Sequence, residues 1–342
     1  MMEQIVIGKT NLRVKRLGFG GIPIQRVSEI QAVETVLYAI EKGADFIDTS
    51  RAYTTSERRI GLALRQSDKK VILASKSLSK TAQGARADLE TSLKELQRDY
   101  IDLYQCHFVK DAAEYQEVVS PGGAFAGLMK AEEEGLIGHI GITSHNLDVL
   151  DLALDGGLFE TIMVCFSFLE PLAKEKIIPK AIRKRIGVIA MKPFSGGVID
   201  NARLALKYAL SQPEIVVIAG VEHRDLFEEN WAIFQNHARL SDEEKEEIEK
   251  IREAYEKVFC RRCDYCQPCP EEIPIQAVLG IRSMVKRMGK AILQKGRQRE
   301  AVDKARNCSE CEECMTRCPY QLPIPRLIRE NLQWVDEQIK SL

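Results

Sequence analysis

Leu17-Gly18-Phe19-Gly20-Gly21 is the stretch on which the fold turns. It is a short apolar run, rich in glycine, where an α/β chain makes its first strand-to-helix turn. A doubly wound nucleotide-binding sheet usually carries G-x-G-x-x-G there, opening directly into a helix. Gly18, Gly20 and Gly21 do not have that spacing. Outward from this run, apolar stretches recur at 17–20, 45–48, 71–74, 101–106, 139–142, 162–166, 187–190 and 215–218. Between them lie amphipathic stretches at 28–42, 57–66, 83–97, 122–134, 147–154, 174–185, 201–211 and 223–235. Strands alternating with helices imply parallel pairing through right-handed crossovers. Eight such units in roughly 220 residues predict a closed (β/α)8 TIM barrel. An open doubly wound sheet is the alternative. Ahead of the barrel, residues 1–14 alternate apolar and polar around Gly8 and Asn11, as a short hairpin does.

The chain has 342 residues, 45% hydrophobic and 29% charged, enough for one large domain and a small one. Its net charge of -1 provides no global field for nucleic acid. Residues 1–15 lack a basic segment followed by an apolar run and a cleavage site. No apolar stretch approaches the roughly 18 residues of a spanning helix. The expectation is a cytoplasmic protein with no membrane or nucleic-acid partner, whose thiols stay reduced.

Eight of the ten cysteines fall in two runs near the C-terminus, Cys260-x2-Cys263-x2-Cys266-x2-Cys269-Pro270 and Cys308-x2-Cys311-x2-Cys314-x3-Cys318-Pro319. Three thiolates at this spacing can wrap one cubane cluster while a remote fourth closes another. The second run matches that of two-cluster bacterial ferredoxins residue for residue; the first is one residue short of it. The crossed ligation assigns Cys260, Cys263, Cys266 and Cys318 to one [4Fe–4S] cluster, and Cys308, Cys311, Cys314 and Cys269 to the other. Zinc uses two separated pairs of ligands rather than two quartets each ending in Cys-Pro. Cys106 and Cys165, inside apolar runs, are expected as buried hydrophobes. The expected organisation is a barrel over 1–240, an acidic bridging helix over 241–258, and a small α-helical ferredoxin-like iron–sulfur domain over 259–342. Residues 275–306 are expected as a helical insert and 325–340 as the closing helix. The insert carries a basic run, residues 282–306. Its bland role is a solvated face or a charge balance for anionic clusters. Its sharper role is docking an acidic electron carrier, a ferredoxin or flavodoxin.

In a barrel, chemistry sits at the C-terminal ends of the strands. The second predicted strand ends in Asp48 and runs on to Tyr53; the third ends in Lys76; the fourth ends in His107. A nearby ammonium lowers the pKa of a phenol, and a carboxylate beside the lysine holds it charged. An imidazole can donate to a carbonyl oxygen. Together these are the equipment for protonating a carbonyl as hydride arrives.

Phe46-Ile47-Asp48-Thr49-Ser50-Arg51-Ala52-Tyr53, with Ser56-Glu57 and Gly61-Leu62-Ala63-Leu64, resembles the signature of the aldo-keto reductase family. The resemblance runs on through Ala74-Ser75-Lys76, Asp102 to His107, Gly138 to Ile142, Ala190-Met191-Lys192-Pro193 and Glu228-Glu229-Asn230. The cysteine-rich end resembles the branch of that family with a C-terminal two-cluster module. The resemblance implies Tyr53 as general acid, Lys76 as its tuner, Asp48 as the partner of Lys76, and His107 as the group orienting the carbonyl. It implies a nicotinamide cofactor, NAD(P)H, stretched across the rim, with Thr143 and Ser144 holding the carboxamide and Glu229 and Asn230 at the far end. Lys192 is placed for a phosphate. There are departures. Met163 stands where the family has a glutamine, Met191-Lys192 where it has a stacking aromatic, and Gly220, Val221 and Leu226 where it has grips for the 2′-phosphate. His223 and Arg224 are the nearby substitutes. The implied activity is an oxidoreductase acting on a small carbonyl/alcohol pair, with electrons relayed through the clusters. Clusters move single electrons and hydride chemistry moves two, so a flavin (FMN) would be the usual bridge. The alternative is a ferredoxin-like electron carrier or redox sensor whose barrel is a non-catalytic scaffold.

Overall fold

The computed structural model describes residues 4–236 and 239–340, with the backbone alone at Arg287. A hairpin comes first, β1 (Gln4–Val6) antiparallel to β2 (Arg13–Lys15). Gly8 turns it at φ +56°, and a Cβ there would sit 2.3 Å from the Gly187 nitrogen, so only glycine fits. Eight parallel strands then close a barrel: β3 (Leu17–Gly20), β4 (Phe46–Asp48), β5 (Ile72–Ser77), β6 (Ile101–Cys106), β7 (Ile137–Ser144), β8 (Thr161–Cys165), β9 (Gly187–Met191) and β10 (Ile215–Gly220). They neighbour one another in chain order, and β10 pairs back to β3. The eight-unit barrel is therefore present, and the open sheet is excluded.

Side chains alternate along each strand. One set faces the surrounding helices and builds the large outer core, with Ile47, Tyr104, Ile140, Ile142, Ile162 and Val188 among its members. The other set fills the barrel: Phe46, Ala74, Leu103, Met163, Ile189, Val216 and Ile218, joined by Ile7 and Val14 from the hairpin. Gly18 makes room in this layer, since a Cβ on it would lie 2.8 Å from Cδ1 of Phe46. Two residues beyond that layer, the same inward faces carry Asp48, Lys76 and Gln105. The apolar filling thus fixes which side chains reach the rim.

Most expected helices form, led by Glu29–Lys42 with a reciprocal cap between Ser28 and Gln31. A helix at Ala112–Val119 was not expected. It starts at Asp111, whose carboxylate accepts the Glu114 amide. The stretch at 174–185 is a 3₁₀ turn (Pro171–Lys174) followed by a short helix (Ile177–Arg183).

A second compact unit comprises Gly196–Val198 and the chain from Asp242 onward. It opens with the acidic helix Asp242–Tyr255 and ends with Ile324–Lys340. The expected single insert is instead broken into Ile275–Leu279, Ile281–Met288, a 3₁₀ turn and Arg297–Ala305, with Gly289 and Gly296 at positive φ between pieces. The unit carries a local repeat. After each Cys-Pro, a residue at positive φ (Glu272, Gln321) donates its amide to the cysteine carbonyl (Cys269, Cys318). Three residues further on, Ile275 and Ile324 donate in turn to Ile273 and Leu322. These four side chains are buried in the unit's core. Much of the basic run is matched inside the unit: Arg299 with Asp303, Lys304 with Glu272, Arg306 with Asp336, and Arg282 over the Trp334 ring.

Candidate active site and cysteine sets

Asp48, Tyr53, Lys76 and His107 converge at one rim of the barrel. Lys76 is wholly buried, and its Nζ donates to Oδ2 of Asp48 at 2.8 Å and to the Thr49 carbonyl at 2.5 Å. The same Nζ lies 5.0 Å from the Tyr53 ring centroid. The Tyr53 and His107 rings meet edge to face, with centroids 5.7 Å apart. The loop between Asp48 and Tyr53 is pinned to the neighbouring strand: Thr49 N–H donates to the Ala74 carbonyl and Arg51 N–H to that of Lys76. Beneath it, buried Glu57 accepts from Ser75 Oγ and pairs with Arg51.

Burial sets the protonation states. It pushes the Tyr53 phenol up; the Lys76 ammonium opposes this, Asp48 adds to it, and the net shift is upward. The lowered phenol expected from the ammonium alone is thus corrected: burial outweighs Lys76, so Tyr53 holds its proton at neutral pH. Burial works against the Lys76 charge, but Asp48 and Tyr53 outweigh it, and the lysine stays protonated. Burial pushes the Asp48 carboxyl upward against that same lysine. His107 is driven well below the usual imidazole range by burial, then by Lys76, Lys80 and Lys192. The rim therefore offers a protonated phenol, a fixed ammonium and a neutral imidazole.

In the second unit the cysteines line two cavities. One is bordered by Cys260, Cys263, Cys266 and Cys318, with Leu279, Leu322 and Ile324. The other is bordered by Cys269, Cys308, Cys311 and Cys314, with Ile273, Pro325 and Ile328. Burial raises the Cys263 thiol to about 12, with Cys260 and Cys318 adding to the rise, and the Cys314 thiol to about 11, with Cys308, Cys269 and Cys311 adding to it. Thiolates packed like this need a cationic core to coexist. Around one tetrahedral zinc, sulfurs would lie about 3.8 Å apart, given Zn–S near 2.3 Å. Among the described residues, the set whose ligand atoms all lie within 4.8 Å is Glu132, His139 and Glu160, not any group of thiols. Neither set therefore gathers three thiols as closely as one zinc ion would, and the two sets are the quartets that the two-cluster spacing assigns. Cys106 and Cys165 are both buried in the barrel, apart from these sets.

The aldo/keto reductase family model matches residues 16–203. The chain belongs to that family. It is an oxidoreductase of the aldo/keto reductase type, and a 4Fe-4S dicluster domain matches residues 259–323. Among curated relatives, L-galactose dehydrogenase of Arabidopsis thaliana is 28% identical over 307 residues, covering 74% of this chain and 95% of that protein. Methylglyoxal reductase DkgA of Salmonella typhimurium is 28% identical over 138 residues, 40% of this chain and 48% of that one. The fold is shared with aldo-keto reductase AKR11C1 from Bacillus halodurans (TM-score 0.63, 22% identity, 73% and 96% coverage). It is also shared with an aldo-keto reductase from Klebsiella pneumoniae solved with NADPH (TM-score 0.63, 21% identity, 74% and 95% coverage).

Against the family's frame, the expected nucleotide positions are unevenly equipped. Thr143 and Ser144 end β7 at the same rim, but their hydroxyls serve the adjacent loop: Thr143 Oγ1 accepts the Phe108 amide and Ser144 Oγ donates to the Val109 carbonyl. Met163 is part of the apolar filling. Lys192 follows β9 at φ +60°, with its Nζ 2.6 Å from Nε2 of His145. Asn230 is buried in the helix Arg224–Gln235, whereas Glu229 beside it is exposed. Arg224 is engaged by Glu34 and lies over the Tyr38 ring. Sequence reasoning did not single out Ser50, which contacts His107 at 2.9 Å. Ser50 lies between Asp48 and Tyr53 in the quoted signature, but nothing in its spacing marks it as a partner of His107. Among the described residues no helix is long and apolar enough to cross a membrane.

Proposed function

We propose that the chain reduces a small carbonyl, or oxidises the matching alcohol, with hydride carried by NAD(P)H. Tyr53 gives the carbonyl oxygen its proton, Lys76 stabilises the charge left on Tyr53, Asp48 holds Lys76, and His107 donates a hydrogen bond to the same oxygen. The convergence of these four side chains at one rim carries the reading. Thr143, Ser144, Lys192, Glu229 and Asn230 are the residues proposed to face the nucleotide. Nicotinamide, rather than flavin, is the hydride carrier in this reading, since solved relatives are described with NADP or NADPH.

The two cysteine sets would each hold one [4Fe–4S] cluster. Each cluster supplies reversible one-electron chemistry when bound, so two together match the electron count of one hydride. The finer part of the proposal is that they exchange electrons between the carbonyl/alcohol chemistry and an external one-electron carrier. The electron-carrier or sensor reading draws support from the preoccupied hydroxyls of Thr143 and Ser144. One experiment separates the two. Protein purified without oxygen is given NADH or NADPH with methylglyoxal or an aromatic aldehyde, and nucleotide oxidation is followed. Turnover supports the reductase; no turnover with any nucleotide, alongside reversible cluster reduction by dithionite, supports the carrier.

A further inference from the structure

Ser50 touches three of the proposed catalytic positions at once. Its carbonyl accepts the Tyr53 amide at 2.9 Å. Its hydroxyl lies 2.9 Å from Nδ1 of His107 and 3.3 Å from the Lys76 carbonyl, and it accepts the Ala52 amide at 3.2 Å. The residue is 1% exposed, so water does not compete for these contacts.

Distances and the chemistry asked of His107 together choose where the protons go. The Ser50 oxygen already accepts from Ala52, and its single O–H has two acceptors in reach. The Lys76 carbonyl is the longer of the two and already accepts the Arg51 amide at 3.0 Å. The imidazole nitrogen is nearer and is the better target. A neutral imidazole has one N–H, and the tautomer is set by the bond made at the other nitrogen.

We infer that Ser50 is a positioning residue whose hydroxyl donates to Nδ1 of His107, fixing the Nε2–H tautomer that points a donor at the substrate oxygen. This rests on the carbonyl-reductase reading, because only there does His107 need to donate. The low basicity of His107, caused by burial and three lysines, agrees: the ring is neutral, so one tautomer must be chosen. The opposite arrangement, with Nδ1–H donating to Ser50, would present a lone pair to a carbonyl oxygen and repel it.

The test uses the full-length holoprotein and two variants, Ser50→Ala and Ser50→Thr. The first readout is independent of turnover. Ring-nitrogen NMR of protein labelled with ¹⁵N-histidine reports the tautomer, and His107→Gln identifies its signals among the five histidines. Wild type and Ser50→Thr are expected to show the Nε2–H form and Ser50→Ala to lose it. The second readout is aldehyde reduction. Ser50→Ala should lose about 10–100-fold, mainly in kcat, with nucleotide Kd unchanged, and Ser50→Thr should recover most of it. An Nδ1–H ring in wild type, or a Ser50→Ala enzyme with unchanged kcat, overturns the inference. A wild type with no aldehyde turnover overturns the functional reading alone, because the NMR still decides the role of Ser50.

Discussion

Lys76 and Asp48 form an ion pair 2.8 Å long in which the lysine has no solvent exposure and the carboxylate is 7% exposed. Removing one partner of such a pair strands a buried charge, at a cost of about 3–5 kcal/mol, whereas replacing both together costs far less. Asp48→Asn and Lys76→Met should each destabilise the barrel strongly, and the double variant should be closer to wild type than the sum of the singles. Urea unfolding followed by barrel fluorescence measures this. Additive singles, each below about 1 kcal/mol, would show that the pair is not a buried unit.

Tyr53→Phe removes the proposed acid and leaves the ring in place. Aldehyde reduction should fall by about 10²–10⁴-fold, with iron content and nucleotide binding unchanged. Because burial raises the phenol, the reduction direction should persist to higher pH than an exposed tyrosine would allow. Alcohol oxidation, which needs the phenolate, should rise with pH. Unchanged turnover in the phenylalanine variant would make these rim residues vestigial.

The cysteine sets predict about eight irons per chain, from two four-iron clusters, in protein prepared without oxygen. Cys318→Ser should damage the cluster of the first run, Cys260, Cys263 and Cys266, since it lines their cavity. Cys269→Ser should damage that of Cys308, Cys311 and Cys314. Electron paramagnetic resonance of the reduced variants reads which cluster survives. Loss confined to the mutated run's own cluster would refute the crossing.

The barrel was legible because its grammar is periodic. Eight apolar runs with helical spacers leave few topologies, and strand alternation then fixes that Asp48 and Lys76 face inward above Phe46 and Ala74. Cysteine spacing was legible for the same reason: chemistry demands it. What escaped notice depends on three-dimensional burial. The net direction of the Tyr53 shift follows from desolvation by the surrounding rim outweighing the lysine, not from having a lysine nearby. Ser50 has no special spacing; only folding brings its hydroxyl to His107, far along the chain. The break-up of 275–306 turned on glycines whose positive φ no periodicity announces.

His139 and Glu160 pair at 3.0 Å beside the hairpin end of the barrel. The hydrogen bond that His139 Nδ1–H donates to Glu160 raises the imidazole, against burial, and the Thr10 backbone adds to the rise. The folded state then binds the histidine proton more tightly than the unfolded chain. That stabilisation is complete below pH about 6.5, the unfolded value, and is lost as pH rises through the higher folded value. Barrel melting temperature should therefore fall from pH 6 to pH 8.5 by more in wild type than in His139→Gln. Parallel curves would assign the fall to other groups.

Nucleotide choice is the last expectation. The extra phosphate of NADPH needs donors or positive charge close by. Gly220 has no side chain, Val221 is buried, and Leu226 is exposed but apolar. Arg224, the nearby cation, already faces Glu34 and Tyr38. At the other end, Met163 cannot hydrogen-bond a carboxamide. Both nucleotides should bind weakly, with less than about a tenfold preference, since one charge-assisted hydrogen bond would give about that much. Leu226→Arg should shift the preference toward NADPH by about tenfold or more, because the site is exposed and accepts a long side chain without repacking. Calorimetric titration of the oxygen-free protein with each nucleotide measures both quantities. Tight wild-type binding with a large NADPH advantage would mean that Arg224 leaves Glu34 to take the phosphate. Arg224→Ala would then abolish that advantage.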